Sequence, residues 1–195
     1  AADKRVSVVR LLNRWQHAQQ QKEAERHRLE KLFTYEYALA RQGYKYIAGV
    51  DEAGRGPLAG PVVVGAVILP IGCYLPGLND SKQLSRQQRE RLDLAIREAA
   101  IAYNVAVVDA AVIDRLNIYQ ATVAGMYQAI KGLKVAPDAV LIDAVPLKQL
   151  TIKSQVLIGG DALSASIAAA SILAKVTRDR LMEEMDRKYP QYGFA

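Results

Sequence analysis

The sequence predicts an α/β fold built on one main domain and preceded by a helical arm. Three observations carry that prediction. Helix-spaced apolar residues run to about residue 43, the pattern changes abruptly at Tyr46 to short runs rich in Val, Ile and Ala, and those runs then alternate with helix-length stretches. At 195 residues the chain is long enough for one substantial core and short for two large ones.

The arm comes first. Val6, Val9, Leu11 or Leu12, and Trp15 recur near helical spacing, residues 20–28 are almost entirely polar, and a second stripe follows through Leu29, Leu32, Phe33, Tyr37 and Ala40 before Gly43 stops it. This predicts a basic helical module over 1–43. Trp15 is expected to be a packing residue, because one aromatic without a partner motif more often fills a core than stacks on a nucleobase. Residues 44–195 form the second unit. Strands are expected at Tyr46–Val50 and Val62–Leu69, a helix over Ser85–Ala100 with its cap near Ser85, and a strand over 101–108. One continuous helix is expected from around Ala111–Asn117 through Met126 and Ile130 to Gly132. After the turn Ala136-Pro137-Asp138, Ala139–Ile142 reads as a buried strand ending at Asp143, and Ile152–Ile158 as a strand leading to Gly159-Gly160-Asp161. Ser164 to Lys175 is rich in Ala and Ser, so a helix there can approach the sheet closely. The charged stretch Thr177–Lys188 places Met182 and Met185 on one face as packing residues.

Lys and Arg number 26 against 20 Asp and Glu, a formal charge of +6. Ten of those bases and five of those acids lie in residues 1–46, so the excess sits in the arm. Nucleic-acid phosphates, an anionic membrane or an acidic protein all suit such a surface, and a solvated helical face explains the count equally well. A single Cys excludes an intrachain disulfide and makes the reduced cytoplasm the expected compartment. The apolar run Pro61–Pro70 is broken by glycine and too short to span a bilayer as a helix, and no hydrophobic signal segment follows the N-terminal bases; neither secretion nor membrane insertion is expected.

His17 and His27 lie in the arm and Cys73 stands alone between Gly72 and Tyr74, so catalysis in the main domain falls to carboxylates. Asp51, Glu52 and Asp143 follow strand-like segments, and Asp161 precedes the next helix. Neighbouring strands can bring Asp51 and Asp143 together despite their separation in the chain. Four such acids can hold two hard divalent cations, whose charge offsets carboxylate repulsion and stabilises phosphoryl transfer. For any one of them a cap, a turn or a surface charge is the plainer explanation. Gly54-Arg55-Gly56 can expose successive backbone amides to a ribose hydroxyl or a phosphate, or simply make a tight turn. The chain contains neither a convincing dinucleotide fingerprint nor a Walker loop, which weighs against dehydrogenases and nucleotide triphosphatases.

At these residues the chain closely resembles the bacterial ribonuclease HII family, over about Tyr46–Ala195. The resemblance rests on GVDEAGRGPLAGPVV, the run Leu78-Asn79-Asp80-Ser81-Lys82, LNIYQAT, the LID segment and GDALSASIAAASILAKVTRDR. It implies a ribonuclease H-like mixed five-stranded sheet flanked by helices. It implies an endonuclease, active as a monomer, that uses Mg2+ or Mn2+, two ions in the substrate complex, to cut 5′ to a ribonucleotide in duplex DNA or in an RNA–DNA hybrid. It carries the family's four acids onto Asp51, Glu52, Asp143 and Asp161, its recognition loop onto Gly54, Arg55 and Gly56, and its phosphate-contacting loop onto Ser81 and Lys82. Two positions depart: Ala144 stands where relatives commonly have glycine, and Gly159 where they commonly have lysine. Relatives also continue beyond Tyr192-Gly193-Phe194-Ala195 through a tyrosine that reads the ribose junction. The expectation is therefore a C-terminally truncated catalytic domain over 44–195. Its alternative function is a catalytically impaired hybrid-binding module, and a purely structural partner-binding protein would instead place the acids apart.

Overall fold

The computed structural model describes residues 6–194. Residues 1–5 and Ala195, among them the bases Lys4 and Arg5 and the C-terminal residue, lie outside the described residues, as do the side chains of Val6 and Ser7.

The arm is two helices, α1 (Val6–Leu32) and α2 (Thr34–Ala40), followed by a turn in which Gly43 adopts a positive φ of 96°. Its two apolar stripes have different fates. Leu29, Leu32 and Phe33 are buried against the main domain, where they meet Val67, Leu69, Leu75 and Leu78. Val9, Leu11, Leu12 and Trp15 are exposed, Trp15 by 60%. The expected packing role of Trp15 is thus corrected: α1 extends past the surface of the domain, and its first turns have nothing to pack on among the described residues.

Five strands form one mixed sheet in the order β3-β2-β1-β4-β5. They are β1 (Ile47–Ala53), β2 (Val62–Ile68), β3 (Ala102–Val108), β4 (Ala139–Asp143) and β5 (Lys153–Leu157). Strands β1, β2 and β3 pair antiparallel, while β4 lies parallel to β1 and β5 parallel to β4. Between β2 and β3 runs α3 (Arg86–Ala99), whose start is a capping box: Ser85 Oγ accepts from the Gln88 N–H and the Gln88 side chain accepts from the Ser85 N–H. The single helix expected before Gly132 is two, α4 (Ala110–Leu116) and α5 (Ile118–Lys131). Asn117 separates them at φ 71°, and its side-chain oxygen accepts from the Gln120 N–H, capping α5. Periodicity runs across such a break without registering it, because Asn tolerates the left-handed region and the apolar spacing resumes at once.

The last helix, α6 (Ala165–Lys188), runs through both the Ala-rich and the charged stretch. Its first half lies against the centre of the sheet. A Cβ on Gly49 would overlap the Ser166 carbonyl group, and one on Gly65 would overlap the Ala170 carbonyl oxygen. The glycines on the strands and the alanines on α6 together let backbone approach backbone. The opposite face of the sheet is covered by α5 through Met126, Ala129 and Ile130 against Val64, Ala66 and Ile142. No helix among the described residues is long and apolar enough to cross a membrane.

Candidate active site

Strand β1 is the middle strand, and its parallel pairing with β4 runs from Ile47 opposite Ala139 to Val50 opposite Ile142. One step further along that register stand Asp51 and Asp143. Side chains alternate along a strand, so both point to the face of the sheet that α6 covers, with Gly49 and Leu141. The sequence places the acidic pair after its strand; the structure places it inside, because β2 stays paired through Asp51 opposite Gly65 and Glu52 opposite Val64. Asp51 is therefore held in the sheet by its pairing with β2 and is 4% exposed, while Glu52 turns to the other face at the same end of the sheet.

Asp161 arrives from a 3-10 turn, Gly160–Ala162, between β5 and α6. Gly159 enters that turn at φ 66°, and the Gly160 N–H donates to Asp143 Oδ1 at 2.7 Å, tying the third acid to the turn that carries the fourth. Downstream, Ser164 caps α6 by accepting from the Ile167 N–H. Its hydroxyl donates to Glu36 Oε1 at 2.6 Å, and the Ser166 N–H donates to the same oxygen at 2.9 Å. A carboxylate of α2 thus stabilises the positive end of a 24-residue helix directly after Asp161.

Electrostatics mark the cluster as unfinished. Burial, with repulsion from Glu52 and Asp143, pushes the Asp51 carboxyl well above the usual range, although the Ser171 hydroxyl acts the other way. Burial also raises Glu52, where Asp143 adds to the rise and Arg55 opposes it. Asp161 is raised by burial against the pull of Lys82, whose Nζ lies 3.2 Å from Asp161 Oδ2. Glu52 Oε2 is buried with no partner. Among the described residues no three of these acids converge closely enough to form a closed metal cage. Their oxygens instead meet protein donors: Asp51 Oδ1 the Glu52 N–H, Asp143 Oδ1 the Gly160 N–H, Asp161 Oδ2 the Lys82 ammonium.

Gly54–Gly60 crosses the same end of the sheet. Gly54 has φ 98°, and a Cβ there would overlap the Arg178 side chain, so glycine is required. Around Gly56 there is open space, room for a ligand to approach the backbone. Arg55 Nη1 lies 3.5 Å from Glu52 Oε1, with its guanidinium carbon 5.9 Å from the centre of the Tyr119 ring. Ser81 and Lys82 begin a 3-10 turn beside the acids. Ser81 is buried, its hydroxyl 2.9 Å from Ser171 Oγ and turned inward, whereas the Lys82 side chain is 78% exposed and free to turn outward. The sequence reading missed Glu36, Ser171 and Arg178. Ala144 has φ 49° directly after Asp143, a left-handed residue where glycine would be unstrained. Burial pushes the Cys73 thiol up to about 11, which suits it poorly as a nucleophile. A groove of about 630 Å3 between α1, Tyr37 and Gly72–Tyr74 contains none of the four acids.

Known proteins resemble this chain in sequence and in fold. The family model for ribonuclease HII matches residues 48–195, and that for the ribonuclease HII N-terminal domain matches residues 1–40. Ribonuclease HII of Geobacillus thermodenitrificans is 54% identical over 193 residues, covering 99% of this chain and 74% of its own length. That of Ruminiclostridium cellulolyticum is 51% identical over 188 residues, covering 96% of this chain and 74% of its own. Among solved structures, the ribonuclease H2 of Pyrococcus horikoshii superposes with a TM-score of 0.69 at 30% identity, over 76% of this chain and 79% of that one.

Proposed function

Because the chain belongs to the ribonuclease HII family, and with it to the metal-dependent endoribonucleases that cleave RNA in RNA–DNA hybrids, we propose that Asp51, Glu52, Asp143 and Asp161 are its catalytic acids. The observation that carries this reading is the register of β1 and β4, which sets Asp51 beside Asp143, with the Asp161 turn bonded to Asp143 through Gly160. The four acids would hold two divalent ions, Mg2+ or Mn2+, with the cations taking over carboxylate oxygens now met by protein donors and a substrate phosphate adding oxygen ligands. Such ions lower the pKa of an attacking water and neutralise charge on the leaving oxygen.

The chain's own groups do the rest. Asp51 and Asp143, fixed by the sheet, define where the scissile phosphate sits. The Lys82 ammonium turns from Asp161 to a neighbouring phosphate, and the 3-10 turn begun by Ser81 brings it there. Backbone amides of Gly54–Gly56 approach the ribose 2′-hydroxyl, with Arg55 near a phosphate, and so distinguish ribose from deoxyribose. Water oxygen joins phosphorus, the bond to the 3′ oxygen breaks and that oxygen takes a proton; the products are a 5′-phosphate on the ribonucleotide and a 3′-hydroxyl upstream. The active species we propose is the monomer. We also assign 1–43 as the helical module and 44–195 as the catalytic unit, acting on hybrids and on duplex DNA containing ribonucleotides.

Three substrates test the proposal: a DNA duplex with one ribonucleotide, a full RNA–DNA hybrid and an all-DNA duplex. Incision of the first two on the 5′ side of ribose, with the third left intact, is expected in Mg2+ or Mn2+. Binding without incision would reduce the chain to a hybrid-binding module.

A further inference from the structure

The loop Gly54–Gly60 has almost no means of holding its own shape. It contains no regular secondary structure, and among the described residues none of its backbone groups joins a backbone–backbone hydrogen bond outside the regular elements. Leu58 at its tip is fully exposed. Beneath it lies Arg178 of α6, which is 7% exposed. Its Nε donates to the Pro61 carbonyl at 3.1 Å and its Nη2 to the Ala59 carbonyl at 2.9 Å. Gly54 rests on the Arg178 side chain, and Gly60 on Met182 one turn further along α6.

This is an unusual way to keep a guanidinium. Asp179, next to it in the chain, pairs instead with Lys175 and Arg89, so Arg178 is buried on two loop carbonyls. Burial of a charge is costly unless its hydrogen bonds are made, and here the loop makes them. The dependence is mutual: displacing the loop strands the cation, and removing the cation leaves two carbonyls, Gly54 and Gly60 without an anchor. A planar fork with fixed donor directions specifies the positions of both carbonyls, whereas an ammonium, with three rotatable donors on a flexible stem, fixes neither.

We propose that Arg178 is a positioning residue for ribose selection, a clamp that holds Gly54–Gly60 in the one conformation whose amides meet the 2′-hydroxyl. The inference rests on the reading of Gly54–Gly56 as the ribose-contacting loop. Arg178 touches neither the substrate nor the four acids; it acts through the loop. Losing it releases selection while leaving the metal centre, which the sheet holds, intact.

The test compares wild type with Arg178→Met, which fills similar space without donors, and Arg178→Lys, which keeps the charge. Single-turnover cleavage and affinity are measured on the single-ribonucleotide duplex and the matching all-DNA duplex, alongside a Mg2+ titration. In Arg178→Met the affinity ratio between the two duplexes should fall about tenfold, while the half-saturating Mg2+ and the rate at saturating substrate stay within about threefold. Arg178→Lys should fall between the two. Trypsin should cut after Arg55 faster in both variants, with cleavage elsewhere unchanged. That second readout decides the matter should Arg178→Met fold poorly, since Arg178→Lys reports it too. A folded variant with the wild-type ratio and the wild-type rate of cutting at Arg55 would overturn the clamp. A wild-type protein with no preference for the ribonucleotide duplex would overturn the reading of the loop itself, and the clamp with it.

Discussion

Asp51 and Gly54 are three residues apart, yet the structure holds them by different means. Asp51 sits in the middle strand, paired with Gly65 on one side and next in register to Asp143 on the other. The loop that begins at Gly54 leaves the sheet and depends on the two carbonyl bonds of Arg178. Asp51 and Asp143 are placed by the cooperative pairing of the sheet, and the loop by a contact that one substitution removes. On the proposed assignment, chemistry rests on the rigid element and selection on the adjustable one. Damage to each should be distinguishable by what it changes: rate at the acids, discrimination at the loop.

The largest expected effect is on the acid side. Asp143→Asn keeps the size and the contact with the Gly160 N–H but removes an anionic ligand, so single-turnover cleavage should fall by about a hundredfold or more. Hybrid affinity should change by less than about threefold, because phosphate contacts dominate it. An unchanged cleavage rate would remove Asp143 from the centre.

Gly49→Ala attacks the sheet beneath the acids without touching a carboxylate. Its Cβ meets backbone of α6 rather than a side chain that can turn away, so urea unfolding should show a loss of about 1–3 kcal/mol or more. Wild-type stability would mean that α6 does not bear on β1 as closely as the structure has it.

On the loop side, two glycines separate structural from functional roles. Gly54→Ala should cost about 1–2 kcal/mol, since its φ is positive and Arg178 occupies the space. Gly56→Ala should stay within about 0.5 kcal/mol of wild type in stability while weakening the single-ribonucleotide duplex. Equal affinity and cleavage for the Gly56 variant would detach that residue from recognition.

The smallest effect concerns Glu36. Burial raises its carboxyl above the usual range, against the hydrogen bonds from Ser164 and Ser166. A carboxyl raised in the folded state favours folding most below its unfolded pKa, and that contribution declines as pH rises from the unfolded value through the folded one. Glu36→Gln removes this dependence. The Tm of the variant relative to wild type should therefore be higher at pH 8 than at pH 4, and a difference independent of pH would show that Glu36 does not titrate in this way.

These residues also show what the sequence makes legible. Five strands and the close approach of the Ala-rich half of α6 to the sheet follow from local pattern, because alternation and small side chains are written in neighbouring residues, whereas the pairing of β1 with β4 beside Asp51 and Asp143 joins distant segments and was open to the sequence only as a possibility. Glu36 and Arg178 were missed because a charged side chain on a helix reads as solvent-facing. Their spacing nevertheless carried a signal: Arg178 lies four residues from both Ala174 and Met182, and Glu36 three from both Phe33 and Leu39, all buried. Trp15 failed in the other direction, since apolar spacing says which face a helix would bury and not whether a partner surface reaches it.

The central claim, that the four acids hold two divalent ions around a hybrid phosphate, is tested most directly by counting Mn2+ with electron paramagnetic resonance in the complex with an uncleavable hybrid. Wild type should bind two ions per complex, and Asp51→Asn should lose at least one while still binding the hybrid. The same stoichiometry and the same Mn2+ affinity in both proteins would contradict the account.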